Sequence, residues 1–223
     1  MTTTFGEVSW DSDVFEGGKS AGGGKDLFLR LDEGDNEMRL ITQPFQYYTH
    51  KFKKDPNNIK DFGVKINCSI SHGTCPLCEL GEDKAKPRWL LGVISRKTGL
   101  YKILDISYAV FGNIRKLARN TARWGDPTKY DINIIKDSNA PPTSFYTVQP
   151  LPKEPLSVDE LKIKESVDLS ELKRRVTPPT AEQVKQRMEK VRSATQADVK
   201  VALAKGASAP VVEDDSDFPE YNG

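Results

Sequence analysis

The chain is poor in the residues that usually declare chemistry: 223 residues hold three cysteines, two histidines and three methionines. So few cysteines exclude a disulfide framework, and pairing two of them as Cys75-Pro76-Leu77-Cys78 points to a reducing compartment and a metal site. No apolar run approaches the roughly 18 residues of a membrane-spanning helix. The opening stretch MTTTFGEVSW has neither a basic region nor an apolar core, so it is not read as a signal peptide and a cytoplasmic location, not secretion, is expected. Catalytic motifs are missing too: there is no HExxH, and with both histidines near the cysteines a Ser/His/Asp set has no histidine to use. The glycine-rich stretch from Gly17 to Lys25 looks like a phosphate-binding loop. A Walker A motif needs glycine where Asp13 stands, five residues before Gly18, and the segment that follows reads as strand rather than helix.

What is present is charge, unevenly spread. Between Arg39 and Tyr130 there are 17 Lys/Arg against 7 Asp/Glu, an excess of +10. Residues 1–35 carry 8 acidic and 3 basic groups, and after Lys205 only acidic ones remain: Glu213, Asp214, Asp215, Asp217 and Glu220. A basic middle between acidic ends suits a polyanion-binding module that carries its own competitor.

Periodicity divides the chain. Residues 1–26 form an arm with no periodicity and a flexible glycine-rich end. Leu27, Leu29 and Leu31 alternate with polar neighbours and predict a strand; a turn at Gly34-Asp35-Asn36 leads to a second from Met38. Trp89–Ile94 and Leu100–Ile106 predict a hairpin about Arg96-Lys97-Thr98-Gly99. Asp131–Ile135 and Ser144–Val148 complete five or six short strands. One helix is expected, with Val110, Ile114 and Leu117 as its apolar stripe and Arg115, Lys116, Arg119 and Arg123 turned away. Many strands and few helices favour a mainly β small barrel or sandwich over residues 27–150. Residues 151–205 read as a linker and helical extension, with capping boxes at Ser157-x-x-Glu160 and Thr180-x-x-Gln183. Residues 206–223 are expected to be a disordered acidic tail.

All five metal-competent Cys and His residues lie between His50 and Cys78. Cys75 and Cys78 form a knuckle able to grip one tetrahedral ion, and Cys68 is a natural third ligand. The fourth is His50 or His72. His72 would crowd four ligands into eleven residues, whereas His50 would tie an earlier strand to the knuckle and is favoured. Four protein ligands make a closed site, so zinc here is structural.

Around this cluster, over about residues 45–80 and beyond, basic and aromatic residues interleave. Tyr47, Tyr48, Lys51, Lys53 and Lys54 come first; then Arg88, Trp89, Arg96, Lys97 and Tyr101; then Arg115, Lys116, Arg119, Arg123 and Trp124. Cations that track phosphates and rings on which unpaired bases stack are the means of single-strand binding. Phe45, Phe52 and Trp89 read equally well as core, while Tyr47, Tyr48, Tyr101 and Trp124 suit partial exposure.

On the string Cys68-Ser-Ile-Ser-His72-Gly-Thr-Cys75-Pro-Leu-Cys78, the chain resembles the single-stranded DNA-binding (helix-destabilising) proteins of tailed phages, including the T-even type. Their counterpart is a cysteine, a His-Gly, then Cys-Pro-x-Cys, with a zinc-binding histidine upstream; this supports His50 and leaves His72 a bystander. Arg88-Trp89 through Tyr130-Asp131-Ile132 and Tyr146-Thr-Val148-Gln-Pro150 resemble the family core. The resemblance covers about residues 27–150 and the acidic end. It implies an OB-fold-like barrel with a zinc-binding subdomain and protection of single-stranded DNA in viral replication, recombination and repair inside the infected host cell. It also implies a tail, through Asp214, Asp215, Asp217, Phe218 and Pro219, that docks replication and recombination proteins. T-even members begin with a basic arm used for head-to-tail binding, whereas this N-terminus is acidic; a monomer or weak self-association along DNA is expected. Two other functions compete with this one. A zinc-containing transcription or recombination adaptor would prefer duplex. A zinc-dependent nuclease or deaminase would need an open metal position and a general base, for which Glu79 is the only neighbour.

Overall fold

The computed structural model describes Gly6–Glu7 and residues 27–53, 61–81 and 83–205, with side chains followed from 27 to 193. It is mostly antiparallel sheet with a few helices. Strands β1 (Gly6–Glu7), β2 (Glu37–Leu40), β3 (Phe45–Phe52) and β4 (Val64–Asn67) precede helix α1 (Pro76–Leu80). Then come β5 (Lys86–Ser95), β6 (Tyr101–Ser107), α2 (Tyr108–Arg119), β7 (Asp131–Lys136) and β8 (Tyr146–Pro150), followed by α3 (Val158–Ser166), α4 (Leu169–Val176) and α5 (Ala181–Lys205). No helix among the described residues is long and apolar enough to cross a membrane. The chain divides into two compact units, whose described residues lie in 6–47 and 87–177 for the larger and 48–86 and 178–205 for the smaller.

In the larger unit the strand order runs β1-β3-β5-β2-β7-β8, with β6 on β5. Alternation builds its core. Trp89, Leu91 and Val93 of β5, Leu104 and Ile106 of β6, Met38 and Leu40 of β2, and Ile132 and Ile134 of β7 all turn to one cluster. Period-2 spacing puts such residues on a single face, and each fully buried side chain of this kind contributes about 1.5–3 kcal/mol. Helix α2 closes the cluster with Val110, Phe111, Ile114 and Ala118. The β5–β6 hairpin turns as its sequence predicts, with Gly99 at φ +69° as its left-handed residue. At Gly92 a Cβ would come within 2.7 Å of the Thr42 side chain, whose hydroxyl accepts the Gly92 amide at 2.8 Å.

On β2, Arg39 is turned from Met38 and Leu40 yet is only 1% exposed. Its Nε donates to Asp131 Oδ1, its cross-strand partner, and its Nη2 to the Glu154 carbonyl at 2.9 Å. Asp131 also accepts two bonds from Arg96, at 2.6 and 2.9 Å, and Arg96 reaches on to Glu160 of α3. Burial would raise the Glu160 carboxyl, but the Ser157 amide and Arg96 outweigh it and hold the group below the ordinary carboxylate range.

The smaller unit pairs the end of β3 with β4 and packs Phe52, Ile66 and Leu77 against Val184, Met188 and Val191 of α5. Both capping boxes form: Ser157 and Glu160 exchange bonds at α3, as do Thr180 and Gln183 at α5.

Four expectations change. Leu27–Leu31 is not a strand; Phe28 makes only an isolated bridge to Ile103. Strands β3 and β4 and helix α4 were not expected. The stretch from 151 to 205 is not merely an extension, since α4 buries Leu172 and Val176 while α5 supplies core to the smaller unit. Gly6–Glu7, within the expected flexible arm, pairs with Phe45 and Gln46. The rest of the arm and the acidic tail lie outside the described residues.

Candidate metal centre and basic helix

The smaller unit gathers four ligands from three places. Strand β3 carries His50, paired opposite Ile66. The ladder runs on past β4, with the Cys68 amide donating to the Tyr48 carbonyl at 2.8 Å, so Cys68 arrives beside His50. A 3-10 turn at Ile70–His72 and Gly73, at φ +98°, then reverse the chain. Cys75 caps α1 in extended conformation, and Cys78 lies within that helix. The ligand atoms of His50, Cys68, Cys75 and Cys78 lie within 4.8 Å of one another, a set able to hold a metal ion. Cys68 Sγ is 3.7 Å from Cys78 Sγ, and His50 Nε2 is 3.7 Å from Cys75 Sγ and 3.4 Å from Cys78 Sγ. These separations are too long for the bond of a disulfide, and the three cysteines are free.

Outer groups orient the ligands. His50 Nδ1 donates to the Asp83 carbonyl at 2.8 Å, which leaves Nε2, facing the sulfurs, able to offer its lone pair to a metal ion. The Asp83 carboxylate accepts the Lys51 amide at 2.6 Å, so one residue clasps both sides of the histidine. A hydrogen bond from the Cys68 thiol, aided by His50, holds Cys75 down at about 2, the thiolate state a cation requires. The same bond pushes Cys68, the donor, upward. Burial lowers the His50 pKa, but the bonds to Cys75 and Asp83 more than offset it and leave the group raised. His72 stands apart, exposed, with Nε2 at 3.1 Å from the Pro178 carbonyl. Of the two histidines, then, the fold brings His50 to the thiols. Glu79 is exposed and outside the cluster.

The basic and aromatic residues separate into groups. Tyr47, expected at partial exposure, is 4% exposed, and its hydroxyl donates to Asp105 at 2.8 Å. Trp89 is likewise buried, stacked on Phe111 with centroids 4.1 Å apart and planes 4° from parallel. The partial exposure expected of Tyr47 is not found, because its hydroxyl is drawn to Asp105, while Trp89 takes the core place that the sequence equally allowed. Arg88 pairs with Asp105 at 2.9 Å and Arg96 with Asp131 and Glu160, while exposed Lys97 meets Asp32 at 2.6 Å. Tyr101 is half-buried, its pKa raised to about 12 by that burial. In the smaller unit Tyr48, Lys51 and Lys53 are half-buried, and Lys54 lies outside the described residues.

Helix α2 and the turn after it form the coherent group. Lys116, Arg119 and Arg123 are exposed and Arg115 is half-buried. The Arg123 guanidinium lies 5.4 Å over the Trp124 ring, itself packed 5.5 Å from Tyr130. From Ile106 to Gly125 there is no acidic residue. The sequence reading passed over Tyr108, which opens this helix at 71% exposure. Its signal was the spacing to Arg115 and Arg119, seven and eleven residues on, along one helical face. Asp83 was missed as well; nothing in the sequence marks a backbone carbonyl as a histidine's partner. No protein-family model matches the chain, and no curated protein matches it.

Proposed function

We propose that the chain binds single-stranded DNA without regard to sequence, coating and protecting it during phage DNA replication, recombination and repair. The observation that carries this reading is the α2 segment, four cations and no acid across residues 106–125, with the exposed ring of Tyr108 and the half-exposed ring of Trp124 alongside. Cations alone would serve any polyanion; rings among them serve one whose bases are unpaired. In this reading the sheet of the larger unit is an OB-fold-like barrel, consistent with its antiparallel strands and single capping helix.

The metal is zinc, held by His50, Cys68, Cys75 and Cys78. Thiolates at about 2.3 Å and an imidazole at about 2.0–2.1 Å from a tetrahedral ion give edges of about 3.8 Å between sulfurs and about 3.6 Å from sulfur to nitrogen. The separations of 3.4–3.7 Å agree. When bound, the ion supplies a cross-link between β3 and the knuckle. Its four protein ligands leave no place for a substrate, which makes it structural. The acidic tail, with Asp214, Asp215, Asp217, Phe218 and Pro219, competes with DNA for the basic face and docks replication and recombination proteins once displaced.

Titrating poly-dT and a duplex of equal length at several salt concentrations tests the reading. Single strand is expected to bind more tightly, with log K falling by about 0.7 per phosphate neutralised for each unit of log salt. The Arg115→Ala/Arg119→Ala variant should flatten that slope by about 1.4 if each cation meets one phosphate. Equal or tighter binding to duplex would favour the transcription or recombination adaptor instead.

A further inference from the structure

We infer that Tyr108 is the platform on which one unpaired base stacks, and that this contact gives the protein its preference for single strand over duplex. The inference rests on reading α2 as the nucleic-acid face.

At 71% exposure Tyr108 is the most open large hydrophobic side chain among the described residues. It is not a loose ring. Its centroid lies 6.2 Å from that of Trp89, at 44°, and Trp89 is in turn stacked flat on buried Phe111. Trp89, itself backed by Phe111, thus meets Tyr108 from the core side, and its first helical position, after the extended Ser107, fixes its backbone. A braced aromatic loses little freedom on binding and presents area at small entropic cost.

Its neighbours along the helix decide what would cover it. At about 100° per residue, Arg115 and Arg119 fall about 20° to either side of Tyr108 on the helical wheel, and exposed Lys116 borders the same face. A ligand that covers the ring and meets this positive face is anionic and offers a flat π face. A duplex supplies the charge, but its base faces are already stacked on one another; a single strand supplies both. From Tyr108 to Arg119 the axis rises about 16 Å, which is about five nucleotides even at the duplex spacing of about 3.4 Å and fewer in an extended single strand. A short single strand therefore suffices to cover the ring and the cations together.

The decisive experiment compares full-length wild type, Tyr108→Ala and Tyr108→Phe. The probes are oligo-dT and an abasic deoxyribose-phosphate oligomer of the same length, at one salt concentration. The two probes carry equal charge and differ only in having bases. Wild type should favour oligo-dT. Tyr108→Ala should weaken oligo-dT binding about 5- to 150-fold, the ratio that stacking of one base provides. It should leave the abasic oligomer, the salt slope and the metal content unchanged. Tyr108→Phe, which keeps the ring, should bind as wild type does. If wild type favours oligo-dT and Tyr108→Ala keeps that preference in full, the base stacks elsewhere and the inference falls alone. Wild type binding both probes equally would also overturn it while leaving an electrostatic single-strand binder. Wild type binding neither would remove the parent reading with it.

Discussion

The two units hold themselves together by different means. The larger has the aliphatic and aromatic cluster of four strands and α2, reinforced by Arg39 and Arg96 around the single carboxylate of Asp131. The smaller has a thinner core in which Cys68 and Cys75, two of the four metal-competent residues, are themselves buried members. A small unit cannot bury enough apolar surface to offset chain entropy without a staple. The contrast teaches that basic and aromatic residues near the cysteines serve shape first, whereas on α2 Tyr108, Lys116 and Arg119 stay at the surface.

Removing the metal is the harshest way to break the comparison. Structural zinc in small peptides contributes an apparent folding free energy of about 10–16 kcal/mol near neutral pH. A chelator, Cys75→Ser or His50→Ala should therefore strip amide-exchange protection from Phe52, Ile66 and Val184, with Met38, Leu91 and Ile132 still protected. His72→Ala should keep full metal content, since that ring meets the Pro178 carbonyl and is not among the clustered ligand atoms. Uniform loss of protection across both units, or metal retained without His50, would refute the division.

The converse lesion is Asp131→Ala, which leaves Arg39 buried without its carboxylate. Breaking such a pair costs about 3–5 kcal/mol. Urea unfolding of the larger unit should register that loss with metal content unchanged, and a change under about 1 kcal/mol would mean that Arg39 finds water or another acceptor.

The mildest change sharpens the picture at α3. Glu160 has its pKa depressed, so the stabilisation it provides is complete above its unfolded value near 4.5 and fades as pH falls through the lower folded value. Glutamine can retain the capping-box bond, so Glu160→Gln isolates the charge that meets Arg96. A loss of less than about 1 kcal/mol at pH 7 is expected, shrinking as the medium is acidified below pH 4. A difference that persists unchanged into acid would assign the effect to packing instead.

Much of this was legible in the residues, for reasons of range. The hairpin about Gly99, the apolar stripe of α2 and both capping boxes depend on neighbours a few positions apart. The knuckle of Cys75 and Cys78 with Cys68 was equally local, whereas choosing between His50 and His72 required the register that places His50 opposite Ile66. Leu27–Leu31 misled because alternation makes a strand possible, but only a partner along the whole segment makes one. Strand β3 hid behind its lysine and tyrosines: Tyr47 looks like a surface ring until Asp105, 58 residues on, receives its hydroxyl. Helix α4 is eight residues long, and of its apolar stripe Leu169, Leu172 and Val176 only the last two are buried, too short a run to announce itself.

Helix α5 adds a matter of timing to the smaller unit. Every metal-competent residue has been synthesised by Cys78, yet Val184, Met188 and Val191, which complete the apolar cover, follow roughly a hundred residues later. A ribosome adding about 5–20 residues per second needs about 5–20 s for that stretch. Throughout that interval the nascent thiols have their chance at the ion while Phe52 and Ile66 still face water. If the cluster takes an ion as proposed, the ligands are ready first and the apolar lid last, so a chain released before residue 181 would leave that site under an open, sticky surface.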